Sequence, residues 1–378
     1  MAAADGSPTL RDRWRSLRTR LLGDPDFQRR AIDFPLTRPF ARLGTRRSFD
    51  LVAGFVYSQT LAAVAELGWL ERLKSEPQPL ETLAEEAELE PEAARRLLKA
   101  AAAIGLSEQR DDGRWGLGAE GAALAGNPGA LAMIRHHGHL YRDLADPLAL
   151  LRGQVKETEL AAYWRYGREA KGGRIAREQA EAYSALMGAS QMLLVDDVLS
   201  AYPMDGHRKL LDVGGGDGHF LEAVARRHPD LDLTLFDLPA VAAIARDRLA
   251  ASGLGQRVAV AEGDFAADLL PDGHDLITLI RILHDHEDEK ALALLEACRT
   301  ALAPGGALLI AEPMSGTPGG ARIADAYFGF YLLAMGSGRA RTPDEIAALL
   351  ETAGFRIVTP ISTRNPLMVR AIVARERA

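Results

Sequence analysis

From residue 208 onward, short apolar runs alternate with longer stretches whose apolar positions recur every three to four residues. The runs 209–213, 231–237, 257–262, 274–283 and 306–311 predict strands, and the intervening 218–228, 239–252, 288–303 and 343–354 predict helices. Two further apolar runs, 355–360 and 367–374, predict a closing antiparallel pair. Such alternation builds an α/β fold with a doubly wound, mostly parallel sheet, whose ligands gather at the carboxyl ends of the strands. Upstream the period is helical. Residues 48–71 are nearly all apolar, which predicts a long helix buried on more than one face, naturally between two subunits. PLETLAEEAELEP (79–91) and PEAARRLLKAAAAIGL (91–106) read as two helices around a turn, and SEQRDDGRWGLG (107–118) as a two-stranded wing turning at Asp112-Gly113. Together they predict a winged helix. Four segments follow: an arm (1–47), a winged-helix dimerisation domain (48–120), a helical linker carrying pocket helices (121–205) and the sheet domain (206–378).

Composition changes this picture in three places. The chain has 378 residues, 47% hydrophobic and 26% charged, enough for two or three cored domains. Its net charge of −7 argues against a nucleic-acid binder, and residues 80–120 hold ten acidic against five basic side chains. The winged helix is therefore expected to dimerise rather than read DNA. Cys298 is the only cysteine, there is no apolar leader, and no uncharged apolar run reaches about 18 residues, so a cytoplasmic location is expected. Residues 1–47 depart from the average, with eleven arginines, no lysine and five aspartates. Within 11–22, Trp14, Leu17 and Leu21 share a helical face among arginines. That pattern suits peripheral contact with an anionic membrane. A solvated arm or a dimer clasp is the alternative.

The candidate chemistry lies at the predicted strand ends. LLDVGGGDGHF (210–220) runs a buried strand into a glycine cluster. Gly214, Gly216 and Gly218 permit a tight turn and close approach of a ligand. Asp237, ending the next strand, can accept from both ribose hydroxyls of an adenosine. The dinucleotide pattern G-x-G-x-x-G fails in both registers, at His219 and at Leu221. The G-x-G-x-G that is present suits S-adenosylmethionine, which has no pyrophosphate to seat. After the third strand, Gly263-Asp264-Phe265 offers an acceptor for an adenine amino group and a ring to stack on it, with an ordinary turn as the alternative. His284, at the end of the fourth strand, is the expected base for methyl transfer to an oxygen, because a neutral hydroxyl must lose its proton as the new bond forms. Glu312, ending the fifth strand, is the expected partner that fixes its tautomer. No metal is expected: in the run His284–Asp288, successive residues at a strand end point apart and few could converge. His136, His137 and His139 are expected to line or cap a pocket. Phe328, Tyr331 and Met335 form a stripe that is either core or acceptor wall, and Tyr183 and Met187 are further candidates for that wall.

LLDVGGGDG (210–218), FDLP (236–239), EGDF (262–265), RILHD (281–285) and PGGALLIAE (304–312) resemble the small-molecule O-methyltransferase family that includes the plant caffeate and hydroxyindole enzymes. The likeness spans roughly 48–375. It implies a homodimer with a class I methyltransferase domain. It also implies cofactor contacts at Gly214, Asp237, Gly263, Asp264, Phe265 and Arg281, beside the Gly216 that the glycine spacing itself offers, with His284 as base and Glu312 as a flanking acid. Two positions depart from the family: Ala340 stands where a second flanking glutamate precedes Arg341-Thr342, and His286 where tryptophan is usual. Residues 34–59, 133–154 and 325–343 resemble more narrowly the carotenoid O-methyltransferases of purple phototrophic bacteria. That likeness implies a small lipophilic substrate, the 1-hydroxyl of an acyclic carotenoid, met at the inner or photosynthetic membrane. A polyketide or aromatic hydroxyl is the alternative acceptor. A cofactor-binding winged-helix regulator is the alternative without catalysis.

Overall fold

The computed structural model describes residues 9–168, 186, 188 and 194–376. Tyr183 and Met187 lie outside the described residues. The chain divides into two compact units, Met1–Glu120 and Gly121–Ala378.

In the first unit, helices Leu10–Leu22 and Pro25–Asp33 lead into a 29-residue helix, Arg38–Glu66. The long helix starts ten residues earlier than the apolar run suggests, because Pro39 sits in its first turn. It stops before Gly68, whose φ of +66° leaves the helical region. Its expected all-round burial is not met within one chain: only Thr60, Val64 and Ala65 are buried, while Phe49, Leu51, Val52 and Phe55 face outward. By length and composition it is also apolar enough to cross a bilayer, a possibility the count of uncharged residues passed over. Trp69–Ser75, Leu80–Glu86 and Pro91–Ala103 then pack Leu70, Leu83 and Leu98 into a core from which water is excluded. The wing is the antiparallel pair β1 (Ser107–Gln109) and β2 (Trp115–Leu117), whose turn is held by Asp112 accepting from the Arg114 amide at 3.0 Å.

The second unit is built on a seven-stranded sheet. Its strands are β3 (Lys209–Val213), β4 (Asp232–Asp237), β5 (Val258–Glu262), β6 (His274–Ile280), β7 (Leu302–Glu312), β8 (Ile357–Ile361) and β9 (Arg370–Arg375), in the order β5-β4-β3-β6-β7-β9-β8. The first five run parallel; β9 is antiparallel to β7 and to β8, as the last two apolar runs predict. Strands covered on both faces read as continuous apolar runs, and the two-residue repeat sorts their side chains. Leu210, Leu233 and Leu276 pack one face, with Phe220 and Leu249 of the helices. Leu211, Ile277 and Leu308 pack the other, with Leu294 and Phe355. Pro360 is tolerated in β8 because that strand is the sheet edge.

One boundary matters for the site. The apolar run 274–283 predicts a strand to its end, but β6 stops at Ile280. Arg281 takes φ +59°, donates its amide to Ala311 at 2.8 Å, and turns the chain out of the sheet into a 3-10 turn at Leu283–Asp285. A non-glycine residue in this region is strained and is typical of functional turns.

Candidate active site

The candidate residues converge on one edge of the sheet. Gly214 follows β3, Asp237 ends β4, Gly263 follows β5, His284 lies in the turn after β6, and Glu312 ends β7. The glycines are there for contact. A Cβ on Gly214, at φ +70°, would lie 2.6 Å from Ile282, so the glycine loop is packed against the turn that carries His284. A Cβ on Gly263 would lie 2.8 Å from the ring of Phe236. Gly216, at φ +60°, has no heavy atom within 4 Å of where a Cβ would be, so its outer side is open. Asp237 ties this loop down, accepting from the Gly216 amide at 2.8 Å and the Leu238 amide at 2.7 Å. Beneath the loop, Asp212 accepts from Thr278 at 2.6 Å; burial raises its pKa to about 7, with Asp237 adding to the effect and Thr278 opposing it.

Asp264 is engaged locally, one oxygen accepting from the Ala266 amide at 2.9 Å in an Asx turn. The neighbouring Phe265 ring stands edge-on to His286, with centroids 5.1 Å apart. Arg281 lies 5.7 Å over the ring of Phe328, and that ring is 5.4 Å from His284. Phe328 therefore links a cofactor candidate to the base candidate.

His284 is buried between two carboxylates. Asp285 lies 3.1 Å from Nε2, and Glu312 lies 3.5 Å from Nδ1, long for a hydrogen bond. The firm bond from Glu312 goes to the His284 backbone amide, at 3.0 Å. Glu312 therefore holds the main chain of the turn first, which differs from the tautomer-fixing contact the sequence suggests. Burial alone would depress the histidine's pKa. The two carboxylates outweigh it and raise it to about 9. Asp285 is held below the usual carboxylate range, its own burial outweighed by His284.

Sequence reasoning missed Asp285, Arg341 and Gly338. The fully buried Arg341 donates to the carbonyls of Leu283 at 2.9 Å and His286 at 2.7 Å, and to Asp288 at 2.9 Å. It brackets the turn from both ends. Gly338, at φ +81°, packs on the backbone of His284 and Asp285, and Ser337 donates to the Asp285 carbonyl at 3.0 Å. Only the adjacency of Arg341 to a family motif hinted at this.

On the acceptor side, Phe328, Tyr331 and Met335 are all buried in one cluster with Trp164 and Leu140. A π-helical turn, Ile323–Phe328, precedes the helix Gly329–Met335 and sets their phase. His136 pairs with the Tyr331 hydroxyl at 3.0 Å, His137 with the Tyr327 hydroxyl at 2.8 Å, and His139 with Glu159 at 3.1 Å. The histidine run thus braces the tyrosines. Among the described residues no group of three or more His, Cys, Asp or Glu is placed to hold a metal ion.

Comparison with known proteins matches residues 141–356 to an O-methyltransferase domain and residues 49–125 to an O-methyltransferase dimerisation domain. Demethylspheroidene O-methyltransferase of Cereibacter sphaeroides is 44% identical over 95% of this chain and 94% of its own. The Rhodobacter capsulatus protein of the same name is 43% identical over 90% of this chain and 84% of its own. The solved structure of mitomycin 7-O-methyltransferase superimposes with a TM-score of 0.73 at 26% identity, covering 90% of this chain and all of that one.

Proposed function

The chain belongs to the O-methyltransferase family, as an S-adenosylmethionine-dependent enzyme that forms a homodimer, and on that premise we propose that it methylates the 1-hydroxyl of an acyclic carotenoid with His284 as general base. The observation that carries the acceptor is the end-to-end likeness to two demethylspheroidene O-methyltransferases.

The residues fit the cofactor: Gly216 leaves space beside Asp237, a carboxylate at the strand end suited to a ribose, and Gly263 and Phe265 border the same edge. S-adenosylmethionine supplies an electrophilic methyl group and a positive charge. The chain's own part is to bind, orient and move one proton. A neutral tertiary alcohol is a poor nucleophile. His284 takes its proton as the carbon–oxygen bond forms, and the imidazolium that results lies between Asp285 and Glu312. Such a base contributes about 10²–10⁴-fold. A positive charge entering the site weakens the hold of His284 on its resting proton, which favours the neutral form a base requires. The aromatic wall of Phe328 and Tyr331 suits a lipophilic acceptor, because the Tyr331 hydroxyl is already paired with His136.

The outward-facing Phe49, Leu51, Val52 and Phe55 lie within the dimerisation match and are read as the partner-facing surface. The arm before residue 49 lies outside that match and exposes Leu10, Trp14, Phe34 and Leu36 among its arginines. It is read as a peripheral contact of a cytoplasmic enzyme with an anionic inner or photosynthetic membrane. Deleting residues 1–30 should abolish sedimentation with anionic liposomes; unchanged sedimentation rejects that contact.

The acceptor is tested by incubating the purified enzyme with labelled methyl donor and extracted hydroxycarotenoids, then with model phenols. Label in the carotenoid fraction is expected. Label in the phenols alone would assign the enzyme to aromatic or polyketide hydroxyls.

A further inference from the structure

We propose that Asp285 is a positioning residue for the base: it supplies the second carboxylate of the His284 site and, acting through Nε2, sets how firmly that imidazole holds a proton. The inference rests on the reading of His284 as base.

Consecutive residues on a strand point to opposite faces, so a histidine and the aspartate after it would not ordinarily meet. They meet here because Arg281 takes the chain out of β6 before His284 is reached, and a 3-10 turn gathers the two side chains on one side. The Asp285 carboxylate then lies 3.1 Å from Nε2, closer than Glu312 lies to Nδ1 at 3.5 Å. Both residues are buried, so water neither screens the pair nor replaces it. The position preceding Arg341-Thr342 is Ala340 and offers no carboxylate.

The surroundings make Asp285 a fixed anion. Arg281 and His286 both favour its charged form. The turn itself is clamped by Arg341 on the Leu283 and His286 carbonyls, by Ser337 on the Asp285 carbonyl, and by Gly338 against the backbone. The charged and titratable groups facing the pair are therefore Glu312 from β7, Arg281 and His286 from its own segment, and Tyr331 from the opposite helix, whose phenol is pushed up chiefly by burial and has Asp285 in its field. Of these, Asp285 and Glu312 favour a proton on His284. Removing Asp285 leaves the imidazole with one carboxylate, whose firm bond is to the main chain.

The test is an NMR titration of the full-length enzyme carrying ¹³C-labelled histidine, with the nine histidines assigned through His284→Ala. In the parent, His284 should lose its proton near pH 9. In Asp285→Asn, an isosteric change, the midpoint should fall by about one unit or more. Asp285→Glu, which keeps the charge, should restore much of it. The acid limb of the kcat–pH profile should move with the midpoint. A His284 titration unchanged in Asp285→Asn overturns the proposal, as does a variant whose only defect is a raised KM for the acceptor. Melting temperature and S-adenosylhomocysteine affinity near the parent's establish that the variant is folded. The titration needs no turnover: if His284→Ala methylates normally, the base reading fails by itself, whatever the NMR shows.

Discussion

Gly338→Ala should cripple catalysis without touching any residue that meets the cofactor. The added Cβ would stand 2.1 Å from the His284 carbonyl oxygen and 2.5 Å from the Asp285 carbonyl carbon, where real Cβ contacts essentially never fall below 3.0 Å. Backbone must therefore yield by about 0.9 Å. Neither side yields freely. Gly338 donates its amide to Glu287 at 3.0 Å, and the turn opposite is tied through Arg341 and Glu312. The residue also sits at φ +81°, where a side chain costs about 1–2 kcal/mol. A displacement near 1 Å at a reacting group costs about 10²-fold in rate. The expected result is kcat lower by about 10²-fold, with S-adenosylhomocysteine affinity by calorimetry within about threefold of the parent. A folded variant whose kcat stays within about threefold of the parent would refute the reasoning. So would loss of product affinity in proportion to kcat, since the damage would then not be confined to the turn.

His284→Ala should lower turnover by about 10²–10⁴-fold with cofactor affinity nearly unchanged; collapse of that affinity would mean that the histidine is part of the nucleoside site. Arg341→Met leaves the buried His286 carbonyl without a donor and the Leu283 carbonyl with only the His286 amide at 3.3 Å; an unmet buried acceptor is worth about 1–3 kcal/mol, so urea unfolding should show a loss of about 1–3 kcal/mol. A loss below about 1 kcal/mol would show that the clamp is dispensable. His136 has its pKa lowered to about 4, first by burial and then by His139 and His137, so the unfolded chain binds its proton more readily than the folded one. That contribution is complete above the ordinary histidine value near 6.5 and is lost as pH falls through about 4. His136→Phe should flatten the decline in melting temperature between those values, and an unaltered slope would assign the acid sensitivity elsewhere.

Leu210 and Leu211 fall on opposite faces of one sheet, in two different cores, as the two-residue repeat of a strand requires. The same local regularity brings Gly214, Asp237, Gly263 and Glu312 to strand ends, because in a parallel sheet all carboxyl ends share one edge. The run 274–283 misled for the opposite reason. Leu283 is as apolar as the residues of β6, but its apolarity serves the core beneath a turn. Hydrophobicity records burial and not backbone direction. The long helix differs in kind: its apolar face is legible and points to burial between two subunits, and within one chain that face stays exposed.

By itself the sequence determined the sheet and its connections, the glycine loop and the set of residues at one edge, since each follows from short-range period and the handedness of β-α-β connections. The tertiary structure alone decided which groups meet at His284. Asp285 reaches Nε2 because a strained arginine ends the strand, and Arg341, 57 residues beyond the histidine, fixes the turn through backbone carbonyls. Contacts between segments distant along the chain, made to main-chain atoms that every residue possesses, leave no pattern in side-chain identity.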